Sequence, residues 1–255
     1  MNNLEFGVPL PGIGPVTYRD VVVLDNDAKY EGEWKYGTII RQGKGKQVWP
    51  DGSIYEGYFV NNMASGTGKL IHPDGDIYDG EWKDDKAHGY GIYQHLNGSK
   101  FEGEWLNDKQ NGYGVETWPD GASYKGSYMD GKKHGEGLFV WADNSNYKGS
   151  FDQNDIHGYG KYKWADGRIF EGIWKHNKMH GKGEFKWPDG RKYIGNYEND
   201  KKEGHGVFYW PDGRKYDGYW KNGKQHGFGS YTSEKGISRA GEWEQGQRLH
   251  WLPTN

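Results

Sequence analysis

Histidine, the side chain used most often for metal binding and proton transfer, recurs in this chain at a regular spacing. Five of the ten histidines are separated by one constant interval or by twice that interval: His88, His134, His157, His180 and His226. If the 23-residue unit that this interval defines is a β-hairpin, equivalent residues lie two strands apart, roughly 9–10 Å. Zinc requires its ligand nitrogens about 2 Å from one ion. The spacing therefore argues against a shared metal, and we expect neither a metal nor a cofactor.

Two segments, residues 126–132 and 218–224, spell Gly-x4-Gly-Lys and resemble a phosphate-binding loop. The next residues are Lys133 and Gln225 rather than the Ser or Thr that contacts Mg²⁺, and no helix pattern follows to hold a phosphate. The chain also has no Gly-x-Ser-x-Gly, no His-Glu-x-x-His and no cysteine. We therefore predict no catalytic residue and a protein that is not an enzyme.

The composition indicates an ordered protein without a conventional aliphatic core. Apolar residues make up 33% of the chain and the mean hydropathy is -1.10, but there are 13 Trp, 20 Tyr, 9 Phe and 43 Gly. Disordered chains are poor in aromatic residues. The segment from Met1 to Gly14 does not resemble a secretory signal, and the longest apolar runs are too short to cross a bilayer. We therefore expect a soluble, cytoplasmic protein.

The charges are distributed unevenly along the chain. Residues 1–128 carry a net charge of -7 and residues 129–255 a net charge of +4, counting Lys, Arg, Asp and Glu. Neither half shows the concentrated basic face of a nucleic-acid-binding protein. Basic residues of the second half cluster after turns, at Arg168, Arg191–Lys192 and Arg214–Lys215, and in segments predicted to be loops, at Lys132–Lys133 and Lys201–Lys202. Solvated loop charge explains these clusters, and an anionic lipid or partner surface is the alternative.

The motif Tyr/Phe-x-Gly-x-aromatic recurs once in each 23-residue unit. It begins at Tyr30 and then, after a two-residue insertion, at Tyr55, Tyr78, Phe101, Tyr124, Tyr147, Phe170, Tyr193 and Tyr216. A Gly-x-Gly motif follows each copy, starting at Gly43, Gly66, Gly89, Gly112, Gly135, Gly158, Gly181, Gly204 and Gly227. Trp-Pro-Asp-Gly or a variant of it closes each unit. Such a fixed period is the signature of a repeat architecture.

Within one unit, alternating residues predict two short strands joined as a hairpin. Pro-Asp-Gly predicts a tight turn to the next hairpin, because Pro presets φ, Asp bonds its own backbone and Gly accepts a positive φ. Alternation places the first-strand aromatics and both glycines of Gly-x-Gly on one face. We expect both glycines to leave room for rings. Twelve of the 13 tryptophans fall in two columns, at the end of the first strand or before the turn, which predicts a stacked aromatic face.

The unit resembles the MORN (membrane occupation and recognition nexus) repeat, whose pattern is close to Tyr-Glu-Gly-x-Trp followed by a Gly-x-Gly strand. The departures are Gln47 and Glu116 at the second-strand aromatic, Asn144 at the turn glycine, and Asn111 and Glu203 before Gly-x-Gly. The resemblance implies an all-β fold, an elongated single-layer antiparallel sheet of tandem 23-residue hairpins. At about 4.8 Å per strand, 18 or more strands predict a sheet on the order of 90 Å long.

The pattern divides the chain into four segments. Residues 1–17, with three prolines, are predicted to be an extended N-terminal arm, and residues 18–29 a degenerate half-repeat that caps the sheet. Nine repeats follow over residues 30–238, and residues 239–255 form a degenerate terminal repeat and tail. Trp251 has no predicted column.

Two surfaces are candidates for binding partners. The first is an aromatic groove, also structural, formed by Tyr55, Tyr78, Trp82, Phe101, Trp105, Tyr124, Tyr147, Phe170, Trp174, Tyr193, Tyr216 and Trp220. The second is an apolar stripe on the reverse face, formed by Ile92, Val115, Leu138, Val140 and Tyr159. An exposed apolar stripe on a single-layer sheet favours an interface over a core.

The resemblance implies a non-catalytic scaffold or adaptor that binds protein partners, because stand-alone MORN proteins of this length recur in motile cilia, including radial spokes, and in cytoskeletal collars. It places the protein on an axoneme or another cytoskeletal assembly. The alternative is a phosphoinositide-binding tether at the cell cortex, with peripheral contact to anionic lipid. Self-association is compatible with the charge asymmetry, and no nucleic acid and no transmembrane segment are expected.

Overall fold

The computed structural model describes residues 12–253, and within them the backbone forms β-strands and turns without any helix. The all-β prediction is confirmed. Since these residues contain no helix, none is available that could span a membrane.

The strands belong to two units, residues 1–132 and residues 133–255. The first unit contains β1 (Val16–Val23), β2 (Lys29–Lys35), β3 (Arg41–Val48), β4 (Ile54–Val60), β5 (Met63–Ile71), β6 (Ile77–Lys83), β7 (Lys86–Gln94), β8 (Lys100–Leu106), β9 (Lys109–Thr117) and β10 (Ser123–Met129). The second contains β11 (Lys132–Val140), β12 (Asn146–Asp152), β13 (Asp155–Lys163), β14 (Ile169–Lys175), β15 (Lys178–Lys186), β16 (Lys192–Glu198), β17 (Lys201–Tyr209), β18 (Lys215–Lys221), β19 (Lys224–Thr232), β20 (Ser238–Glu244) and β21 (Gln247–Trp251).

Within each unit, every strand pairs antiparallel with the strand that follows it in the sequence. The register is the same from repeat to repeat. In the repeat that starts at Tyr147, for example, Tyr147 pairs with Tyr162 and Gly149 with Gly160. The predicted hairpins are therefore confirmed.

Two kinds of turn connect the strands. The predicted Pro-Asp-Gly turns close with a hydrogen bond from the glycine N–H to the tryptophan carbonyl, 3.0 Å for Gly52 and Trp49. The Asp51 carboxylate accepts from the N–H of Ser53 at 2.8 Å. From the second repeat onward, the turn inside each repeat is a two-residue loop with positive φ at both positions, such as Asn61 (50°) and Asn62 (73°). This is the geometry that matches the twist of a hairpin.

The turn inside each repeat also connects to the preceding hairpin. The Asn62 side-chain oxygen accepts from the N–H of Arg41 at 2.8 Å, and Asp85 accepts in the same way from Ala64 at 2.6 Å. Asn177 and Asp200 repeat this contact in the second unit. A short Asn or Asp at this position therefore both permits the left-handed turn and joins neighbouring repeats.

The two glycines of Gly-x-Gly have different roles, which corrects the prediction that both make room for rings. A Cβ on Gly160 would lie 2.4 Å from the ring of Tyr147. Gly158 instead lies in a bulge, where the pairing changes between Gly149–Gly160 and Phe151–Ile156. Its φ is +87°, and a Cβ there would approach Ser150, 3.1 Å away. The bulge changes the direction of the first glycine, because two extra residues of β13 interrupt the alternation that the prediction assumed.

The core is a series of rings in edge-to-face contact on one face of each sheet. Tyr55 contacts Phe59 of its own strand at 5.1 Å and Trp82 of the next repeat at 5.2 Å, with interplanar angles of 83° and 85°. Tyr193 makes the equivalent contacts with Tyr197 and Trp220. Edge-to-face geometry stabilises such pairs beyond the area they bury. Aromatic rings therefore replace the aliphatic core that the composition excludes.

At the N-terminal end, β1 begins two residues earlier than predicted. Val16 and Thr17, assigned to the arm, pair with Lys35 and Trp34 of β2. Residues 1–11 of the predicted arm lie outside the described residues. At the other end, β21 pairs with β20, and the Trp251 ring lies 6.0 Å from that of Trp243.

Candidate partner-binding site

The residues predicted to line an aromatic groove form the interior of the aromatic face. All of them except Trp105 are buried, and several, such as Tyr124, Tyr147 and Tyr193, are fully inaccessible. These rings are buried because each lies over a glycine and is contacted by two neighbouring rings, as Tyr147 is by Phe151 and Trp174. A partner cannot touch the buried side chains of this set in the folded protein, and only Trp105 among them keeps some exposed ring surface.

The polar atoms of these buried rings have partners inside the sheet. The Tyr147 hydroxyl donates to the carbonyl of Ser150 at 3.0 Å, and Tyr55, Tyr78 and Tyr216 donate in the same way three residues along. Burial raises the pKa of Tyr216 to about 12. Four core tryptophans donate their indole N–H to the carbonyl of a second-strand glycine, as Trp82 does to Gly68 at 2.9 Å. These hydroxyl and indole groups therefore serve the fold.

On the aromatic face of the second unit, the accessible rings form a second row, from β11 to β21. Adjacent rings lie between 4.4 and 6.4 Å apart, centroid to centroid. We call this set the aromatic row: Phe139, Trp141, Tyr162, Trp164, Phe185, Trp187, Phe208, Trp210, Tyr231 and Trp251. Its phenylalanines at 185 and 208 are buried, whereas all its tryptophans are half-buried. The tryptophans therefore offer ring surface to a ligand.

Three arginines lie over tryptophans of the row. Arg168, Arg191 and Arg214 place their guanidinium carbons 5.3, 5.4 and 5.4 Å from the rings of Trp164, Trp187 and Trp210. Each donates from Nε to the turn aspartate two residues earlier, at 2.7 Å. The aspartate orients the guanidinium, and Arg214 is also hydrogen-bonded to the side chain of Tyr231.

A lysine contacts the row from within the sheet. The Lys202 ammonium lies 5.3 Å from the ring centre of Trp187 and 4.8 Å from that of Phe208, and the core rings Tyr193 and Trp220 are at 5.1 and 4.7 Å. Burial and, to a smaller extent, the charge of nearby Arg191 lower the pKa of Lys202 to about 8. The sequence predicts that Lys202 lies in a solvated loop. It lies instead in β17, where it pairs with Tyr197 and faces the core.

The corresponding surface of the first unit is interrupted and more polar. Gln47, Leu70, Tyr93 and Glu116 occupy the second-strand positions that hold rings in the second unit, and His72 and His95 replace two of the tryptophans before the turns. The interruption leaves a cavity of about 450 Å³ whose lining includes Gln47, Trp49, Leu70 and Asp85.

Arg41 lines this cavity, and its position in the repeat is equivalent to that of Lys202. It donates to the side-chain oxygen of Gln47 and to the carbonyl of Asn62, and its guanidinium carbon lies 5.2 Å from the ring centre of Phe59. Burial lowers its pKa, an effect that Asp85 opposes.

A family model for the MORN repeat matches the chain nine times, over residues 30–54, 55–77, 78–100, 101–123, 124–146, 147–167, 170–190, 193–213 and 216–238. The chain belongs to the MORN-repeat family. The matched segments begin at the buried first-strand aromatics, so the family pattern coincides with the core of each hairpin. The resemblance inferred from the sequence is confirmed.

No curated protein shows significant sequence similarity to this MORN protein. Solved structures with partial similarity include the wild-type TCP10 domain of Danio rerio CPAP, with a TM-score of 0.42 and 16% identity over 92% of this chain and 99% of that one. Another is the SAS-4 TCP domain of Drosophila melanogaster in complex with a proline-rich motif of Ana2, with a TM-score of 0.38 and 15% identity over 74% of this chain and 99% of that one. Similarity this low carries no inference about function.

The reverse face of the MORN sheet carries the predicted apolar residues mixed with charged neighbours. In the first unit, Ile92 pairs across the strands with Asp79 and Glu102, and Val115 with Glu102 and Lys125. In the second unit, Leu138 pairs with Lys148, Val140 with Asn146 and Tyr159 with Ile173. Charged or polar cross-strand partners therefore separate most of the apolar side chains predicted for the reverse face.

The MORN repeats bring together no recognisable reactive group among the residues that the structure describes. Residues 12–253 contain no group of three or more His, Asp or Glu side chains placed to hold one metal ion. The two segments that resemble phosphate-binding loops lead from β10 into β11 and from β18 into β19, each a strand rather than a helix.

The repeat pattern contains a signal for the aromatic row. The tryptophans before the turns form one column of the repeat, whereas the predicted groove consists of first-strand aromatics. A ring that follows a Gly-x-Gly strand and precedes a turn lies at the edge of the hairpin, where fewer neighbours can cover it. Position next to a turn therefore identifies the accessible rings.

Proposed function

We propose that this MORN protein is a non-catalytic scaffold that binds protein partners through the aromatic row of its second unit. The observation that carries the proposal is the series of half-buried tryptophans with arginines over their rings. Binding sites for proteins are enriched in tryptophan, tyrosine and arginine, and a few such residues supply most of the binding energy. The buried first-strand rings hold this surface in place without contacting the partner.

By the family resemblance, we also propose that the scaffold works in a cytoskeletal assembly, the axoneme of a motile cilium in the first instance. Expression of the tagged protein in ciliated cells tests this setting. Retention in demembranated axonemes supports it, whereas complete extraction with the membrane fraction contradicts it and favours the cortical tether.

A matched pair of variants tests the binding surface. Trp187→Ala removes a ring of the aromatic row, and Trp118→Ala removes the half-buried tryptophan at the equivalent position of the first unit. Proteins that co-purify with the tagged wild-type chain from its native source are quantified by mass spectrometry for both variants. We expect Trp187→Ala to lose those partners and Trp118→Ala to retain them. Equal retention by both variants contradicts the proposal, provided that circular dichroism shows both to be folded.

A further inference from the structure

Building on the proposed function, we propose that the ligand of the aromatic row is an extended polyproline II segment that carries acidic residues, one turn of the segment per MORN repeat. The proposal concerns the three consecutive repeats that combine Trp164 with Arg168, Trp187 with Arg191 and Trp210 with Arg214. Three observations support it: the spacing of these sites, the chemistry of their rings and the sign of their charge.

The spacing matches a polyproline II helix. Equivalent residues of neighbouring repeats are two strands apart, about 9.4–9.8 Å for strands about 4.7–4.9 Å from each other. A polyproline II helix has three residues per turn and rises about 3.1 Å per residue, so the same side recurs every 9.3 Å or so. An α-helix presents one face every seven residues, roughly 10.5 Å, and loses register by about 1 Å at each repeat. A β-strand turns residues three apart to opposite sides.

The ring surface also fits such a segment. Polyproline II segments bind in grooves lined by aromatic side chains, because the segment is already extended and loses little conformational entropy on binding. The half-buried tryptophans at 164, 187 and 210 recur once per repeat. Buried Phe185 and Phe208 lie between them, with centroids 4.4–5.5 Å from the adjacent tryptophan rings. The row therefore offers an apolar contact at each turn of the segment.

The charge beside the rings selects acidic residues. The side chains of Arg168, Arg191 and Arg214 are 41, 43 and 39% exposed, so their guanidinium groups remain open to a ligand. Each turn aspartate accepts from Nε, and Tyr231 takes a further hydrogen bond from Arg214. A guanidinium carries five N–H groups, so each arginine keeps donors for a carboxylate. The buried ammonium of Lys202 adds positive charge beneath Trp187 and Phe208. In the first unit, Ser53, Asp76, Ser99 and Ala122 occupy the arginine position, so an acidic ligand should prefer the second unit.

Fluorescence anisotropy with synthetic peptides tests the proposal on the full-length protein. The probe is a fluorescein-labelled peptide in which Pro-Pro-Glu is repeated three times. The first comparison peptide replaces each Glu by Lys, and the second repeats Pro-Pro-Pro-Glu three times, which keeps the charge and the polyproline II conformation but spaces the carboxylates about 12 Å apart. We expect at least ten-fold weaker binding of the Lys peptide and at least five-fold weaker binding of the four-residue repeat. Equal affinity for all three peptides overturns the proposal.

Substitutions locate the binding. The double change Arg191→Gln and Arg214→Gln should weaken binding of the Pro-Pro-Glu peptide at least ten-fold, while Lys161→Gln, an exposed cation of the reverse face, should leave it unchanged. Equal losses in both variants would indicate a nonspecific charge effect and overturn the proposal. If no peptide binds but Trp187→Ala still loses the native partners, this inference fails and the scaffold function stands. If the peptide binds but the native partners still bind the Trp187→Ala variant, the proposed function fails instead.

Discussion

In the second unit the aromatic row runs from Phe139 to Trp251, whereas the equivalent positions of the first unit alternate between rings and polar groups such as Gln47 and Glu116. The first-strand rings beneath are the same in both units, with the same edge-to-face contacts and the same hydrogen bonds. The difference indicates that the hairpin requires the first-strand ring and the glycine under it. The second row is free to vary, and its residues can therefore be adapted to a ligand.

One position shows how differently the two units use the same place in the repeat. Arg41 and Lys202 both face the core at the start of a second strand, opposite Trp34 and Tyr197. Arg41 donates hydrogen bonds to Gln47 and Asn62. Lys202 is surrounded by four rings, and within residues 12–253 no carboxylate lies at ion-pair distance from its ammonium. A buried cation is costly unless it is paired or hydrogen-bonded, so the two should affect stability in opposite directions.

The largest effect is expected at the second-strand glycines, and it should be equal in both units. Gly68→Ala and Gly160→Ala each place a Cβ within 2.3 Å of a tyrosine hydroxyl oxygen, and that ring is held by its neighbours. We expect a loss of about 3 kcal/mol in the free energy of unfolding for each, measured by urea denaturation. Gly158→Ala should cost less, about 1 kcal/mol, because the strain comes from the positive φ and from a contact with the small side chain of Ser150, not from overlap with a packed ring. If Gly158→Ala costs as much as Gly160→Ala, the division of roles between the two glycines is wrong.

The next effect separates the units. Arg41→Met should lower the free energy of unfolding by about 2 kcal/mol, because buried Gln47 and the carbonyl of Asn62 lose a charged donor. Thermal and urea unfolding of the variant and the wild type provide the measurement. An unchanged midpoint would show that the hydrogen bonds of Arg41 do not stabilise the first unit.

Lys202→Met should act in the opposite direction and raise stability at pH 7 by about 2 kcal/mol, because it removes a buried charge that has no paired carboxylate. The folded-state pKa of Lys202, about 8, lies below the ordinary value of 10.5, so the buried charge destabilises the folded protein below pH 8. Four ring contacts offset part of that cost, and Met179 shows that methionine is accommodated at the equivalent position. Between pH 8 and 10.5 the unfolded chain binds more protons, so wild-type stability rises with pH and the advantage of the variant shrinks. An advantage that grows over this range would contradict the assignment.

The smallest effect is expected on the reverse face, where the units agree. Tyr90 donates to Glu102 at 2.7 Å in the first unit, and Tyr159 donates to Glu171 at 3.1 Å in the second. Both tyrosines are exposed, and exposed pairs contribute little. Tyr90→Phe and Tyr159→Phe should therefore leave the melting temperature within experimental reproducibility. A clear loss in one unit alone would mean that the reverse faces differ after all.

Much of this architecture could be predicted from the residues. The period predicts where the strands, turns and glycines fall within each repeat. The Asp-Gly turns form as expected, as at Asp51 and Gly52. The facing of Gly158 could not be predicted, because strict alternation holds only for an uninterrupted ladder and the bulge interrupts it. Lys202 is the second residue of β17, although its polar neighbours predict a loop.

Turn chemistry, alternation and period are local properties that recur in every repeat, so the amino-acid sequence is sufficient to predict a tandem array of MORN hairpins with an aromatic core. Which rings remain accessible depends on the tertiary structure. Tyr147 and Trp164 are both aromatic residues of one repeat, but Tyr147 is covered by Phe151 and by Trp174 of the next repeat, while Trp164 remains half-buried beside its turn. Burial depends on residues contributed by neighbouring hairpins, and so the binding surface emerges only when the repeats are assembled.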